Sequence, residues 1–532
     1  MEMTINAPEM QHQIESLTAR VTELTGQLAK METLVKYYEN QFLKMRRRQF
    51  GSSSEKFPID NTEYRQTSLF SKVAPEEMEK LPEPETEEIT YKRKKQKGKR
   101  NEDLSGLPVE RIDYELTEEE RACPVCGETM RDIGTDVRRD LKLIPAQVVV
   151  VEHAAHTYAC SNCQKNNEST PIIKSKLPAA LIPGSLASPS LVAYITTQKY
   201  MNGMPLYRLE KGFVYDGVVI SRQTMANWVI KCAGDYLFEL YMLMIQILLK
   251  APALHSDETT VQVLHEPNRP AQSKSYEWVY RTSGCAEHTI IIFDYKETRK
   301  QEHPQEFLKE FKGLLHCDGY QAYHNLPPDI IIIGCWAHAR RKWENLIKTL
   351  PEAKRKGSEA ERGLWFINKL FEYEREFKDL TPDERYKKRL EISKPVADEF
   401  YEWIGTLGAL PKSPLGEPVQ YALSQKQYLM NVFVDGNAEL SNNRCEKSIR
   451  PFVRGRKAWL FSSTQEGARA SSIMYSIIET AKENGLHPYH YIKYLLESLS
   501  NAKDGELEMF LPWSKSLPDY CYTPFKNKYP EK

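Results

Sequence analysis

Leu254-His-Ser-Asp-Glu-Thr-Thr-Val-Gln-Val-Leu264 is the stretch on which the fold turns. Its valines alternate with polar neighbours and threonines crowd its centre, the two-residue period of a strand with one buried face. Tyr276-Glu-Trp-Val-Tyr-Arg-Thr-Ser-Gly284 and His288-Thr-Ile-Ile-Ile-Phe-Asp-Tyr-Lys-Glu-Thr298 read as second and third strands. Gln305-Glu-Phe-Leu-Lys-Glu-Phe311 changes to helical spacing, and Gly313-Leu-Leu-His-Cys-Asp-Gly-Tyr-Gln-Ala-Tyr323 returns to strand. After a further connection, Ile330 to Ile333 closes the series.

That order is the layout of an α/β core of the ribonuclease H-like kind, in which the first and fourth strands end side by side. Asp257 and Asp318 then converge although they are distant in the chain. From Arg340 to about Met430 the pattern is helical, charged and nearly free of strand signals, so it reads as an insertion. Beyond it, Leu440-Ser-Asn-Asn-Arg-Cys-Glu446-Lys-Ser-Ile-Arg450 leads into a helix that carries a third acid. Phosphoryl transfer with two metal ions needs hard oxygen ligands converging on cations about 4 Å apart. Asp257, Asp318 and Glu446 supply such a set, with two magnesium or manganese ions as the expected cofactors. Between Leu440 and Ala470 seven Lys or Arg stand against two Glu, a basic patch in which Arg450, Arg454, Arg456 and Lys457 are expected to meet DNA phosphates.

Towards the N-terminus, residues 180–250 read as helical. Ser221 is a candidate N-cap for a short helix after the turn at Gly217. This has the look of a helix-turn-helix offering Arg222, Gln223 and Asn227 to base edges, while a helix pair serving only as packing scaffold is the other reading. Cys123-Pro-Val-Cys126 and Cys160-Ser-Asn-Cys163 are two CxxC knuckles, the pattern of one tetrahedral zinc ion held in a zinc-ribbon-like module over 106–175. Short strands are expected between them at Val148 to Val151 and His153 to Ala159. Residues 55–105 form a charged linker, acidic before Glu88 and almost wholly basic from Lys92 to Arg100.

Ile14, Leu17, Val21, Leu24, Leu28, Met31, Val35, Tyr38, Phe42 and Met45 recur at alternating steps of three and four, the a and d positions of a coiled coil over 10–48 that dimerises the chain. An amphipathic helix packed on its own chain is the alternative. Arg46, Arg47 and Arg48 follow, as a DNA-phosphate contact or as cations at the negative pole of a helix.

Basic and acidic residues balance at 73 each, so DNA contact must come from local patches. With 41% hydrophobic and 27% charged residues, the chain is globular in bulk. Met1 to Glu15 lacks a basic start followed by an apolar core, and the apolar run Leu237 to Leu249 is short and carries Glu239. No membrane role and a cytoplasmic location are expected.

With these motifs in place, the chain resembles the transposases of insertion-sequence family sixty-six, within the DDE transposases. The resemblance rests on Phe50-Gly-Ser-Ser-Ser-Glu-Lys56, both cysteine knuckles, Pro205-Leu-Tyr-Arg208, Asp257-Glu-Thr259, Asp318-Gly-Tyr320 and Gly334-Cys-Trp-Ala-His-Ala-Arg-Arg-Lys342. Asn442-Asn-Arg-Cys-Glu446, Gly455-Arg-Lys457, Trp459-Leu-Phe461 and Leu511-Pro-Trp513 complete it. It implies a leucine zipper, a zinc finger, a ribonuclease H-like catalytic domain over 251–475 with a helical insertion, and a C-terminal helical segment over 476–532. It implies Asp257, Asp318 and Glu446 as catalytic acids, Arg340 and Arg341 among the DNA contacts, transposon ends and target DNA as partners, and accessory transposition proteins. Ser441 stands where the pattern has Asp, and Ala458 where it has Asn. Cys335 and His338 form the C-x2-H pair seen in several DDE transposases, read as structural because two ligands do not close a zinc site.

The expected activity is metal-dependent cleavage and joining of DNA at transposon ends. A non-catalytic zinc-finger regulator is the competing class, and the retention of all three acids favours the enzyme. A hydrolytic nuclease on the same core is a third reading. The cysteine spacing makes its own prediction: the purified chain carries one zinc by metal analysis, and Cys160→Ser carries none. Stoichiometric zinc retained in that variant would remove the four-cysteine assignment.

Overall fold

The computed structural model describes residues 146–159, 172–499 and 506–523, together with positions 20, 111, 128 and 129. The chain divides between Arg100 and Asn101 into two units, and apart from Arg20 everything described belongs to the second. The heptads of 14–45, Arg46 to Arg48 and the four knuckle cysteines lie outside the described residues.

Strand β1 (Thr157–Ala159) pairs antiparallel with β2 (Ile172–Lys174). Val148 to Val151, expected as a strand, is not one; the run is exposed, with Val150 at 90%. Branched side chains favour a pleated, half-buried surface, and among the described residues no strand pairs with this run. Helix α1 (Pro189–Tyr200) is capped by Ser188, whose hydroxyl accepts the Leu191 N–H at 3.2 Å. Helix α2 (Leu206–Tyr215) turns through Gly217, at φ +81°, into α3 (Arg222–Cys232). Ser221 caps α3 by accepting the Thr224 N–H at 3.1 Å, as its sequence position implies. A π-turn at Ala233–Leu237 leads to α4 (Phe238–Leu248), whose Leu240 and Met244 are buried.

The central sheet begins with β3 (Ala253–His265), which pairs antiparallel with β4 (Lys274–Thr282), itself antiparallel to β5 (Ile291–Lys296). After the short α5 (Glu302–Phe307) come β6 (Gly313–Cys317), parallel to β3, and β7 (Ile330–Gly334), parallel to β6. The order is therefore β5-β4-β3-β6-β7. Two expectations need correction. β6 ends at Cys317 because Asp318 and Gly319 turn the chain into a 3-10 segment at Gln321–Tyr323, and α5 lies earlier than expected, with Pro304 in its first turn, where a missing N–H costs least.

Among the described residues, those from 336 to 430 carry helices and no strand: α6 (Trp336–Thr349), α7 (Glu359–Glu376), α8 (Pro382–Lys388), α9 (Lys394–Thr406), α10 (Gly416–Ser424) and α11 (Lys426–Met430). Trp343, Phe366, Phe400 and Trp403 form their core, joined to the sheet through Ala253, Leu314 and Ile333. Helix α12 (Asn443–Trp459) then crosses β3, β8 (Ser462–Thr464) pairs with the far end of β3, and α13 (Gln465–Glu483) covers the β5 side. α13 runs through the boundary expected at 475/476, because its buried face is continuous from Ala468 to Ala481. Its hydroxyls replace a missing strand: Ser476 accepts the Phe293 N–H at 2.8 Å, and Thr480 accepts the Ile291 N–H at 3.0 Å. Helix α14 (Pro488–Ser498) packs against α1.

A buried polar cluster fixes the approach to α12. His255 on β3 and His316 on β6 stack with ring centroids 4.2 Å apart. His316 Nδ1 donates to the Leu254 carbonyl at 3.0 Å and its Nε2 accepts the Glu439 N–H at 2.6 Å, a pairing that requires the neutral ring. Burial, helped by His255, lowers its pKa to about 3. Asn442 reaches His255 at 3.0 Å and the Ser256 carbonyl at 2.8 Å, while its own N–H donates to Cys335 Sγ at 3.2 Å. Burial pushes the Glu439 carboxyl upward, but His255, Arg444 and the Gly284 N–H outweigh it and hold the group well below the usual carboxylate range. Arg444 Nε sits 2.8 Å from both Glu439 oxygens.

A carboxyl depressed on folding stabilises above its unfolded pKa of about 4.3, and that contribution is lost as the pH falls. Glu439→Gln is therefore expected to cost about 1.5–3 kcal/mol at pH 7. Urea midpoints of the two chains should draw together as the pH drops below about 4.3. A difference that stays constant with pH would show that the charge contributes nothing.

Candidate active site

The acids meet through strand register. β3 and β6 run parallel and their pairing ends with His255 opposite His316; Asp257, two residues further along β3, and Asp318, the first residue after β6, leave the same end of that pairing. Asp257 Oδ1 accepts the Glu258 N–H at 2.8 Å, and Asp318 Oδ1 accepts the Tyr320 N–H at 2.9 Å. Glu446 sits in the first turn of α12, where a negative charge is favoured. Burial, followed by the charges of Glu258 and Asp318, pushes the Asp257 carboxyl well above its usual range; Glu446 adds to the push and the Glu258 N–H opposes it. Three acids remote in sequence thus act on one another.

They do not close on a single point. Among the described residues no three His, Cys, Asp or Glu side chains are gathered tightly enough to grip a metal ion. Glu446 turns towards His338 Nε2 at 3.7 Å and the Arg341 guanidinium at 3.6 Å, and like-charged carboxylates repel. The donors nonetheless suit a hard divalent cation, being carboxylate oxygens. Glu446 Oε1 is moreover buried with no hydrogen-bond partner in the structure.

Two neighbours were not evident from sequence. His338 presents Nε2 to Glu446 while its Nδ1 is buried without a partner, whereas the Cys335 thiol takes backbone N–H groups, among them that of Asn442. The C-x2-H spacing was visible, but the different tasks of its two members were not. Glu258, next to Asp257, is raised by burial against the opposing pull of Arg299, and accepts the Tyr323 hydroxyl at 2.8 Å. Arg299 lies 3.6 Å over the Tyr320 ring. These partners come from three separate segments, so no local spacing announces them.

The basic residues fall into distinct settings. Arg450, Arg454 and Lys457 are exposed and follow one another at steps of four and three, along one face of α12. Arg456 turns the other way and donates to Thr259 at 3.2 Å and Thr260 at 2.9 Å on β3. Arg340 holds Glu344 at 3.0 Å and Asn368 at 2.7 Å. On α3, Arg222, Gln223 and Asn227 are exposed opposite the buried Met225 and Trp228, with Gln223 donating to Asn227 at 2.9 Å. Ser441 is half-buried just before Asn442, and Ala458 is exposed on α12.

Four family models match parts of the chain. A model described as "Transposase IS66 family" matches residues 184–470, one for the zinc-finger binding domain of transposase IS66 matches 120–164, and one for the IS66 C-terminal element matches 476–513. "Transposase C of IS166 homeodomain" matches 37–112. Relatives in Sinorhizobium fredii include the uncharacterized proteins y4qI, 30% identical over 76% of each chain, and y4jD, 25% identical over 96% of this chain and 98% of its own. A solved structure, the Drosophila P element transposase strand transfer complex, matches with a TM-score of 0.32 and 12% identity over 61% of this chain and 93% of its own. No helix among the described residues is long and apolar enough to cross a membrane. With more than half of its length matched by one family model, the chain belongs to the Transposase IS66 family.

Proposed function

We propose that the chain cuts transposon ends and joins the freed 3′-hydroxyl to target DNA, using Asp257, Asp318 and Glu446 on a ribonuclease H-like core. What supports this reading is that Asp257 and Asp318 each follow the last β3–β6 pair, His255 with His316, by two residues, and that the charges of Asp318 and Glu446 both act on Asp257. These carboxylates would hold two magnesium or manganese ions, which supply activation of the attacking oxygen and stabilisation of the leaving one. The chain's own part is to position and to neutralise. The His255–His316–Glu439 cluster keeps the start of α12 against β3 and β6, and the Arg450, Arg454 and Lys457 face holds phosphates beside the acids.

In the same reading, 10–48 forms a coiled coil joining two copies or more, and 106–175 a zinc module with Cys123, Cys126, Cys160 and Cys163 as ligands. Arg46, Arg47 and Arg48 add phosphate contacts. Residues 180–250 offer Arg222, Gln223 and Asn227 to DNA, and about 340–430 is an insertion within the catalytic domain. The work is done in the cytoplasm on the nucleoid, with accessory transposition proteins as further partners.

Two experiments test the proposal. With labelled transposon ends and Mg2+, Asp257→Ala, Asp318→Ala and Glu446→Ala should each abolish cleavage and joining while binding the ends within about threefold of the parent, since direct phosphate contacts dominate affinity. Undiminished cutting by Glu446→Ala would strike that residue from the set. Replacing Arg450, Arg454 and Lys457 by Ala should weaken binding to unrelated DNA sequences alike and flatten the log–log salt slope by about 0.9 per contact. Arg456→Ala, which breaks bonds to β3, should lower thermal stability and leave that slope unchanged.

A further inference from the structure

A cavity of about 630 Å³ opens between α6, α7 and the first residue of α12, in the size range of sites for small organic groups. It adjoins the acid cluster: Arg341 lines it and at the same time approaches Glu446 at 3.6 Å. Three guanidinium groups face it, those of Arg340, Arg341 and Arg375. Planar, forked donors of this kind match phosphate oxygens two at a time. Two acids also line it: Lys369 holds Glu372 at 2.7 Å, while Glu344 is shared between Lys348 at 2.9 Å and Arg340 at 3.0 Å, and Arg340 also donates to Asn368 at 2.7 Å. Arg375 is exposed, and its guanidinium makes no hydrogen bond among the described residues, acting on Glu372 only through space. The remaining lining is of another chemistry. Asn368 and Asn443 carry donor and acceptor atoms in one plane, and Phe371 is a half-buried aromatic ring.

Phosphate donors, amides suited to the edge of a base and a ring suited to its face are together the three recognition elements of a nucleotide. Resting on the DNA reading of the acid site, we propose that this cavity receives one unstacked nucleotide of the strand held at Asp257, Asp318 and Glu446. Arg341 and Arg375 take its phosphates, with Arg340 held beside them by Glu344 and Asn368, and Phe371 faces its base. The strand passes from the acids over Arg341, the residue shared by both sites. The helical segment between β7 and α12 thereby contributes directly to DNA geometry at the cut, through α7 as well as α6. Unstacking one base separates the scissile phosphate from the rigid duplex and lets it approach the carboxylates.

The test uses the full chain, Ca2+ in place of Mg2+, and duplexes of the transposon end with 2-aminopurine placed in turn at each position flanking the cut. This base brightens when it leaves the stack. Wild type should brighten one position several-fold, and Arg375→Ala and Phe371→Leu should abolish that signal. Arg375→Ala, a change at an exposed side chain, should otherwise reduce the salt slope of DNA binding by about one contact. The proposal is overturned if no position brightens on DNA that wild type binds and, with Mg2+, cuts, or if Arg375→Ala brightens it fully. It is also overturned if a free nucleoside triphosphate raises the Tm of wild type but not of Arg375→Ala while no duplex brightens, since the cavity then takes a free nucleotide. Failure of the DNA reading shows itself separately, as a wild-type chain that neither binds nor cuts the ends, and removes this inference with it.

Discussion

Three paired residues hold the candidate site together. The parallel contact of Ala253, Leu254 and His255 with Leu314, Leu315 and His316 joins the antiparallel half of the sheet to its parallel half. This pairing sets which residues of the two strands stand at their common end, so a slip of one residue would shift Asp257 along the sheet relative to Asp318. The contact is short, and other interactions secure its register. The stacked histidines straddle it, and Gly313, at φ +141°, brings its backbone so near the Pro252 carbonyl that a Cβ would stand 2.3 Å from the oxygen. Side-chain cost therefore falls outside the pairing, where it does not disturb the acids.

The third acid depends on long-range polar contacts instead of sheet pairing. Glu439, Asn442 and Arg444 gather partners from β3, from β6 and from the loop at Gly284. A polar network of this kind is expensive to bury, and its bonds restrict it to few arrangements; here His255 Nε2 is buried without a hydrogen bond, 3.5 Å from Glu439. Glu439 is thereby committed to structure. Its carboxyl is engaged by Arg444 and the Gly284 N–H, while Glu446 keeps a buried oxygen without a hydrogen bond, 3.7 Å from His338 Nε2.

Much of the fold was legible because the sheet is written in local alternation. The strands around Asp257 and Asp318, the Ser221 cap and the basic spacing of α12 all follow from neighbours within a few residues. What was not legible depended on distant partners. Val148 to Val151 has the composition of a strand and has no strand partner among the described residues. Arg456 belongs to the same basic run as Lys457, yet only the position of Thr259 and Thr260 decides that it packs inward. His338 and Arg375 reach the site from helices whose sequence reports only that they are amphipathic. The family match spans the sheet and the helices between β7 and α12 alike, and leaves the separate tasks of these side chains to be read from contacts.

The hydroxyl seal on β5 has a consequence during synthesis. Ile291, Ile292 and Phe293 are wholly buried in the finished chain, at the free edge of the sheet, and an uncovered apolar edge is a template for pairing with another chain. The residues that close it, Ser476 and Thr480, are translated long after the strand. At 5–20 residues per second the edge stays open on the ribosome for roughly 10–40 s. In that interval the buried apolar face of β5 is exposed, so slower translation between β5 and α13 lengthens the time in which the edge can pair wrongly.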